Sequence, residues 1–267
     1  MIFSEIFKLH NEKKLLKMIA GAIIGAASVI GIVYILQNVF TDIQLNALMD
    51  LFPDGNLNLG IVNLNNFNAN ENVNIMGFVY NSYYLQLFVC VFAMLLMHND
   101  INNGSIVFLI TRGKSYFQIY LTKVFVIYVG VFAVNILYLM TAYVATKALA
   151  MSCTIDVKKF ILLLVIETIV LCIEAVFFVN VYLVFRNILV AVIVLIMAVM
   201  GMPGLLEIVA SVLGSESIEY LWIGNFATNI YDASSSALLV LVLYVVLYGF
   251  VSSVCGYKCF RKFEKYL

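Results

Sequence analysis

The sequence predicts an all-α membrane protein with six transmembrane helices, an N-terminal amphipathic interfacial helix, and short re-entrant helices before the last span. Three observations predict it. Of the 267 residues, 64% are hydrophobic and 11% charged, where soluble domains carry about 25% charged residues. A span needs about 20 predominantly apolar residues to cross ~30 Å of hydrocarbon, and that template fits six times. The basic residues then fall almost entirely on one side of the membrane. The 15 basic and 15 acidic residues cancel, so the placement of charge is informative and its total is not. Residues 1–267 are expected to form a single transmembrane domain.

Residues 1–17 place Ile2, Phe3, Ile6, Phe7 and Leu9 on one helical face and Ser4, Glu5, Lys8, Asn11 and Glu12 on another. Such a helix lies along the inner leaflet before the chain turns into the membrane. No small-residue cleavage site follows the first apolar run, so the first span is expected to stay. The spans fall near 18–38, 75–97, 121–146, 160–185, 188–202 and 237–257. The fifth is short. It ends in this reading at the GMPG of residues 201–204, because Pro203 lacks a backbone donor and disfavours helical geometry at Met202. Residues 203–235, broken by Gly214 and by Glu207, Glu216 and Glu219, are expected as an outer re-entrant region.

Orientation follows from the lysines and arginines. With the N-terminus inside, Lys8, Lys13, Lys14, Lys17, Arg112, Lys114, Lys123, Arg186, Lys258, Arg261, Lys262 and Lys265 are cytoplasmic, and Lys147, Lys158 and Lys159 lie outside. Twelve against three sets both termini in the cytoplasm of a multi-pass protein of the cytoplasmic membrane. The outer side instead carries nine acids, Asp42, Asp50, Asp54, Glu71, Asp156, Glu207, Glu216, Glu219 and Asp232. That surface either attracts a cationic ligand or simply mirrors the positive-inside bias. The outer loop 41–74 contains ten asparagines and no lysine or arginine; it is a solvated loop or a cap over the outer mouth.

Two features within the spans stand out. Gly21, Gly25 and Ser28 share a face of the first span, a small-residue stripe suited to close packing within the chain or at a dimer interface. Glu167 and Glu174 lie seven residues apart, on one face of the fourth span. A charge at the bilayer centre costs about 2.5–3.5 kcal/mol on insertion scales, so both should face protein or water. With Asn135, Tyr138 and Asn180 as possible partners, they either line a solvated substrate path or form a buried hydrogen-bond network.

Several chemistries are excluded. TRGKS at residues 111–115 ends like a phosphate loop, but Phe108 stands where the first glycine is required and no strand precedes it. There is no HExxH and no GxSxG. The five cysteines, Cys90, Cys153, Cys172, Cys255 and Cys259, form no CxxC pair, and His10 and His98 are remote from them, so no metal site is expected. They read as buried or membrane-facing thiols. Asn103-Gly104-Ser105 fits a glycosylation acceptor, yet the topology puts it inside. The chain is not expected to be an enzyme or to bind nucleic acid.

The stretch from His98 to Lys123 separates two apolar runs with a charged, glycine-broken segment. Its pattern, Asp100-x3-Gly104-Ser105, then Leu109, Thr111 and Arg112, then Lys123, resembles the type 2 ABC exporter permeases, whose layout of spans, N-terminal helix and tight turn at Arg186-Asn187 the whole chain also resembles. Members of that family often have glutamate at the first position and a proline near the arginine; Asp100 and Ile110-Thr111 stand here instead.

The resemblance implies a second permease chain, identical or homologous, and two copies of a separate ATPase subunit that hold ATP and Mg, with no cofactor on this chain. It implies that segment 98–120 is a cytoplasmic coupling element, carried by Asp100, Gly104, Ile106, Leu109, Arg112 and Lys114. Ile106, Leu109 and Ile110 would pack as an apolar face, Asp100 and Arg112 would pair across the contact, and Tyr116 and Phe117 would anchor the exit at the interface. The substrate it suggests is an amphipathic or cationic peptide, as in export or antimicrobial-peptide immunity. An ATP-independent, membrane-embedded peptide-binding or immunity protein is the alternative.

Overall fold

A computed structural model describes residues 14–39, 83–149, 157–214 and 235–262. These residues are helical, with no strand among them: α1 Lys14–Val39, α2 Tyr83–Asn102, α3 Ser105–Thr111, α4 Tyr116–Ala148, α5 Val157–Phe185, α6 Ile188–Leu213 and α7 Ser235–Lys262. Among the described residues, three stretches are long and apolar enough to cross a membrane: α2, α4 and Leu164–Phe185 of α5. Shorter apolar stretches, Leu16–Ile32 and Ile188–Met202, lie in α1 and α6. The described part of the chain is thus all-helical, with helices of membrane-crossing length and composition. The interfacial helix expected at 1–17 lies outside the described residues except for its last four, which are the first turn of α1. The outer loop 41–74 also lies outside them.

α5 is the centre of the bundle. It packs against α2, α4, α6 and α7, while α1 lies on α4 and α2. Of its membrane-crossing stretch 72% is buried, against 50% for α2 and 44% for α4. Val170, Leu171, Ala175, Phe178 and Val179 fill its contacts. The outward faces of the other helices stay apolar: Leu189, Ile193, Met197 and Val212 on α6, and Leu247 and Phe250 on α7, are all exposed. A surface of that kind suits hydrocarbon and not water.

Local chemistry explains the helix ends. α4 begins at Tyr116, five residues before the expected span, because Ser115 and Gln118 form a capping box: Ser115 Oγ accepts from the Gln118 backbone N–H at 3.3 Å, and Gln118 Oε1 from the Ser115 N–H at 3.4 Å. At 33 residues α4 is about 50 Å long at 1.5 Å per residue, so it exceeds the hydrocarbon thickness. The tight turn at Arg186-Asn187 is present. Arg186 takes a left-handed φ of 55°, and Asn187 Oδ1 caps α6 by accepting from the Leu189 and Val190 N–H groups at 2.9 and 3.4 Å.

One expectation is corrected here. The helix expected to end at Met202 runs on through Gly201, Pro203 and Gly204 to Leu213, so residues 203–213 extend α6 and do not start a re-entrant segment. A lone proline removes one backbone hydrogen bond. Ending the helix in apolar surroundings would strand several, each costing more there than in water. The remainder of the expected re-entrant region, 215–234, lies outside the described residues.

The two glycines of the small-residue stripe on α1 are covered from within the chain. A side chain at Gly21 would strike the Phe88 ring and one at Gly25 the Tyr84 ring, and the Tyr84 hydroxyl donates to the Gly21 carbonyl at 2.9 Å. Ser28 Oγ donates to the Ile24 carbonyl of its own helix at 2.7 Å. Of the two uses the spacing allows, Gly21 and Gly25 serve the intramolecular one, the seating of α2 on α1. Tyr84→Phe should therefore lower stability by about 0.5–1.5 kcal/mol, the net worth of one such hydrogen bond, read as a small fall in the thermal midpoint of the detergent-solubilised chain.

Candidate functional site

Two sites are built by this bundle. The first is at the end where α2 passes into α4. Gly104 and Gly113 both take left-handed φ values, 66° and 76°, and each turns the chain on one side of α3. Ile106 is buried against the bundle and Leu109 and Ile110 are partly buried, so this apolar face packs within the chain. The opposite face shows Val107, Phe108, Arg112 and Lys114 to the surroundings. Tyr116 meets Phe260 of α7 edge-on at 6.4 Å between ring centroids, and Phe117 meets Tyr257 at 5.5 Å.

The pairing expected of Asp100 is corrected. Arg112 does not reach it; the guanidinium lies over the Phe108 ring, 4.0 Å from its centroid. Lys123, two turns into α4, donates to Asp100 Oδ2 at 2.6 Å. The two turns at Gly104 and Gly113 bring the first turns of α4 back against the last turn of α2, and Arg112 is left on the far side of α3. Both partners are buried, Asp100 6% and Lys123 4% exposed, so the pair is a lock in the protein interior and not a surface contact.

A second tie at this end was not foreseen. The Asn102 amide donates to His98 Nε2 at 2.9 Å, which leaves Nδ1 to donate to the Tyr182 hydroxyl of α5 at 3.1 Å. Asn180 of α5, expected near the glutamates, instead accepts from the Tyr120 hydroxyl of α4 at 3.2 Å. It donates to the Ser252 carbonyl and Oγ of α7 at 2.8 and 3.1 Å. Gly256 of α7 sits against both Asn180 Oδ1 and the Tyr120 hydroxyl, with no room for a side chain. With these contacts, Lys17, Arg112, Lys114, Lys123, Arg186, Lys258, Arg261 and Lys262 collect at one end of the bundle.

The second site lies inside the bundle. Asn135, Tyr138, Glu167 and Glu174 are all buried. Asn135 Nδ2 donates to Thr168 Oγ1 at 2.9 Å, and Asn135 also hydrogen-bonds Glu167. Tyr138 stacks on Tyr84, ring centroids 6.4 Å apart. Glu174 stands apart from this group, beside Cys90 of α2. The spacing therefore placed both carboxyls on the interior face, but only Glu167 meets one of the partners expected, Asn135. Of the described cysteines, Cys90 and Cys172 are buried, Cys255 is exposed and Cys259 partly so, all as free thiols.

Two grooves flank the bundle. One of about 440 Å³ runs between α1 and α2 past Met18, Phe88, Phe92 and Leu95, with Lys17 and Asn99 at one end. The other, about 280 Å³, lies between α5 and α7 along Phe177, Val181, Tyr248 and Cys255. The chain matches no family model, no curated protein and no solved structure.

Proposed function

We propose that this chain is the membrane-spanning permease subunit of an ABC exporter, with six spans, both termini in the cytoplasm, and a separate ATPase subunit in two copies that supplies ATP hydrolysis. The observation that carries the reading is the construction of the α2–α4 connection. A short helix turns its apolar side to the bundle and a side bearing Phe108, Arg112 and Lys114 away from it. The segment is joined to the bundle by a buried ion pair at its two roots. A projecting element held that rigidly transmits a push from a docked partner to α2 and α4 as one rigid body. The basic residues gathered at the same end favour the cytoplasmic side for that partner. A second permease chain completes the assembly, and the substrate class that best fits the acidic residues between the spans is an amphipathic or cationic peptide.

The test is gentle solubilisation of the chain from its native membrane and identification of what comes with it. A nucleotide-hydrolysing subunit is expected in equimolar amount. Arg112→Glu should weaken its retention by on the order of tenfold, as charge reversal at a contact does, with the thermal midpoint of the chain unchanged. Recovery of the chain with no ATPase would leave the ATP-independent peptide-binding or immunity protein as the reading to pursue.

A further inference from the structure

Where α5 faces α2 and α4, several buried oxygens are reached by no donor among the described residues. Glu174 is wholly buried and neither of its carboxyl oxygens has a hydrogen-bond partner. Glu167 is 2% exposed, with Oε2 unfilled. Asn135, wholly buried on α4, spends its amide N–H on Thr168 and leaves Oδ1 unfilled. All of these unfilled atoms are acceptors. A buried acceptor without a donor costs about 1–3 kcal/mol, and more if it is charged, so the two carboxyls call for a donor or for a proton of their own.

Geometry decides its size. Seven residues of helix separate the two carboxyls by about 10.5 Å at 1.5 Å per residue, too far for one ion to touch both. Among the described residues no three His, Cys, Asp or Glu side chains converge on a common point. Neither carboxyl lines either groove. A proton needs no cage and no cavity. The neighbours supply no competing charge: α2 presents the Cys90 thiol to Glu174 and α4 presents Asn135 to Glu167. α6 and α7 set no charged group against either among the described residues. Asp100 and Lys123 are engaged with each other.

We infer that Glu174 and Glu167 are two intramembrane proton-binding sites. They are loaded as carboxylic acids while the bundle is closed and unloaded when α5 parts from α2 or α4. Unloading breaks one carboxyl O–H bond, leaves a carboxylate on the protein and places the proton on water, so no other reactant is required. Because α5 touches α2, α4, α6 and α7, any rigid-body shift of these helices changes the hydration of both carboxyls. Proton occupancy and helix arrangement are then linked in both directions. The inference rests on burial and on the unfilled acceptors, and it stands or falls independently of the exporter reading.

The experiment is infrared difference spectroscopy of the full chain in lipid nanodiscs, between acidic and alkaline buffer. Surface carboxyls cancel when a variant spectrum is subtracted from that of the wild type. A carboxylic-acid carbonyl band that disappears as pH rises is expected, with one carboxyl equivalent missing in Glu174→Gln and another in Glu167→Gln. Glu174→Asp should keep the band at a shifted position, and it carries the same measurement if Glu174→Gln does not fold. A difference band that persists across the whole pH range would show a permanently protonated structural acid and overturn the proposal. So would the absence of any acid band at low pH, which would show carboxylates neutralised by something else.

Discussion

Asp100→Ala is expected to destabilise the bundle by about 3–5 kcal/mol, the cost of removing one member of a buried ion pair and leaving the other charge in place. Lys123 Nζ lies 2.6 Å from Asp100 Oδ2, and both side chains are almost fully enclosed. Without the carboxylate, the lysine must find water by pulling the first turns of α4 away from α2. Removing both charges together, Asp100→Leu with Lys123→Met, should recover most of the loss, because desolvation of the two ions nearly offsets their attraction. Arg112→Ala, which gives up only an exposed stacking contact with Phe108, should cost less than about 1 kcal/mol. Thermal unfolding of the three variants in detergent is the readout. If Asp100→Ala were as stable as Arg112→Ala, the pair would not be what holds the connection to the bundle. The expectation also separates the two positions: Asp100→Ala loosens the fold, and Arg112→Glu leaves it intact.

The apolar runs made the long helices legible, because membrane-crossing length and composition are local properties of the chain. What escaped was set by contacts between distant residues. The resemblance suggests that Asp100 and Arg112 pair across the contact; only the left-handed turns at Gly104 and Gly113 reveal that Lys123 is the residue carried back to Asp100. Pro203 is a reliable stop in water, but an apolar helix has more backbone bonds to lose by ending than by tolerating one gap. Glu167 and Glu174 were legible as anomalies because charge is rare in such spans. Their separate environments were not, since one Asn135 on α4 can serve only one of two carboxyls about 10 Å apart. The Ser115–Gln118 capping box was readable in principle as a serine followed three residues later by glutamine.

Gly256→Ala should be among the most damaging single-methyl changes in the described part of the chain. Glycine within an apolar helix normally signals a close approach, and Gly256 was the available clue to the Asn180 junction that sequence reasoning passed over. At this position the added carbon would overlap Asn180 Oδ1 and the Tyr120 hydroxyl, two atoms already bonded to each other. Neither atom can retreat cheaply. Asn180 is tied to Ser252 by two hydrogen bonds, and the Tyr120 ring is wedged between Tyr257 and Phe260 with centroids at 6.3 and 5.7 Å. Overpacking of this kind costs about 1–3 kcal/mol, and each hydrogen bond broken to relieve it adds roughly 0.5–1.5 kcal/mol. The cheapest escape is for α7 to move away from α5, which opens the groove between them. Gly256→Ala should therefore lower the thermal midpoint and make Cys255 and Cys259, on the same turns of α7, react faster with a membrane-permeant maleimide. Adding Asn180→Ala should return part of the stability by making room, whereas Gly249→Ala, which meets only the movable end of Ile173 at 2.9 Å, should be milder. If Gly256→Ala matched Gly249→Ala in both readouts, the Tyr120–Asn180–Ser252 junction would be too soft to be what holds α7 against α5.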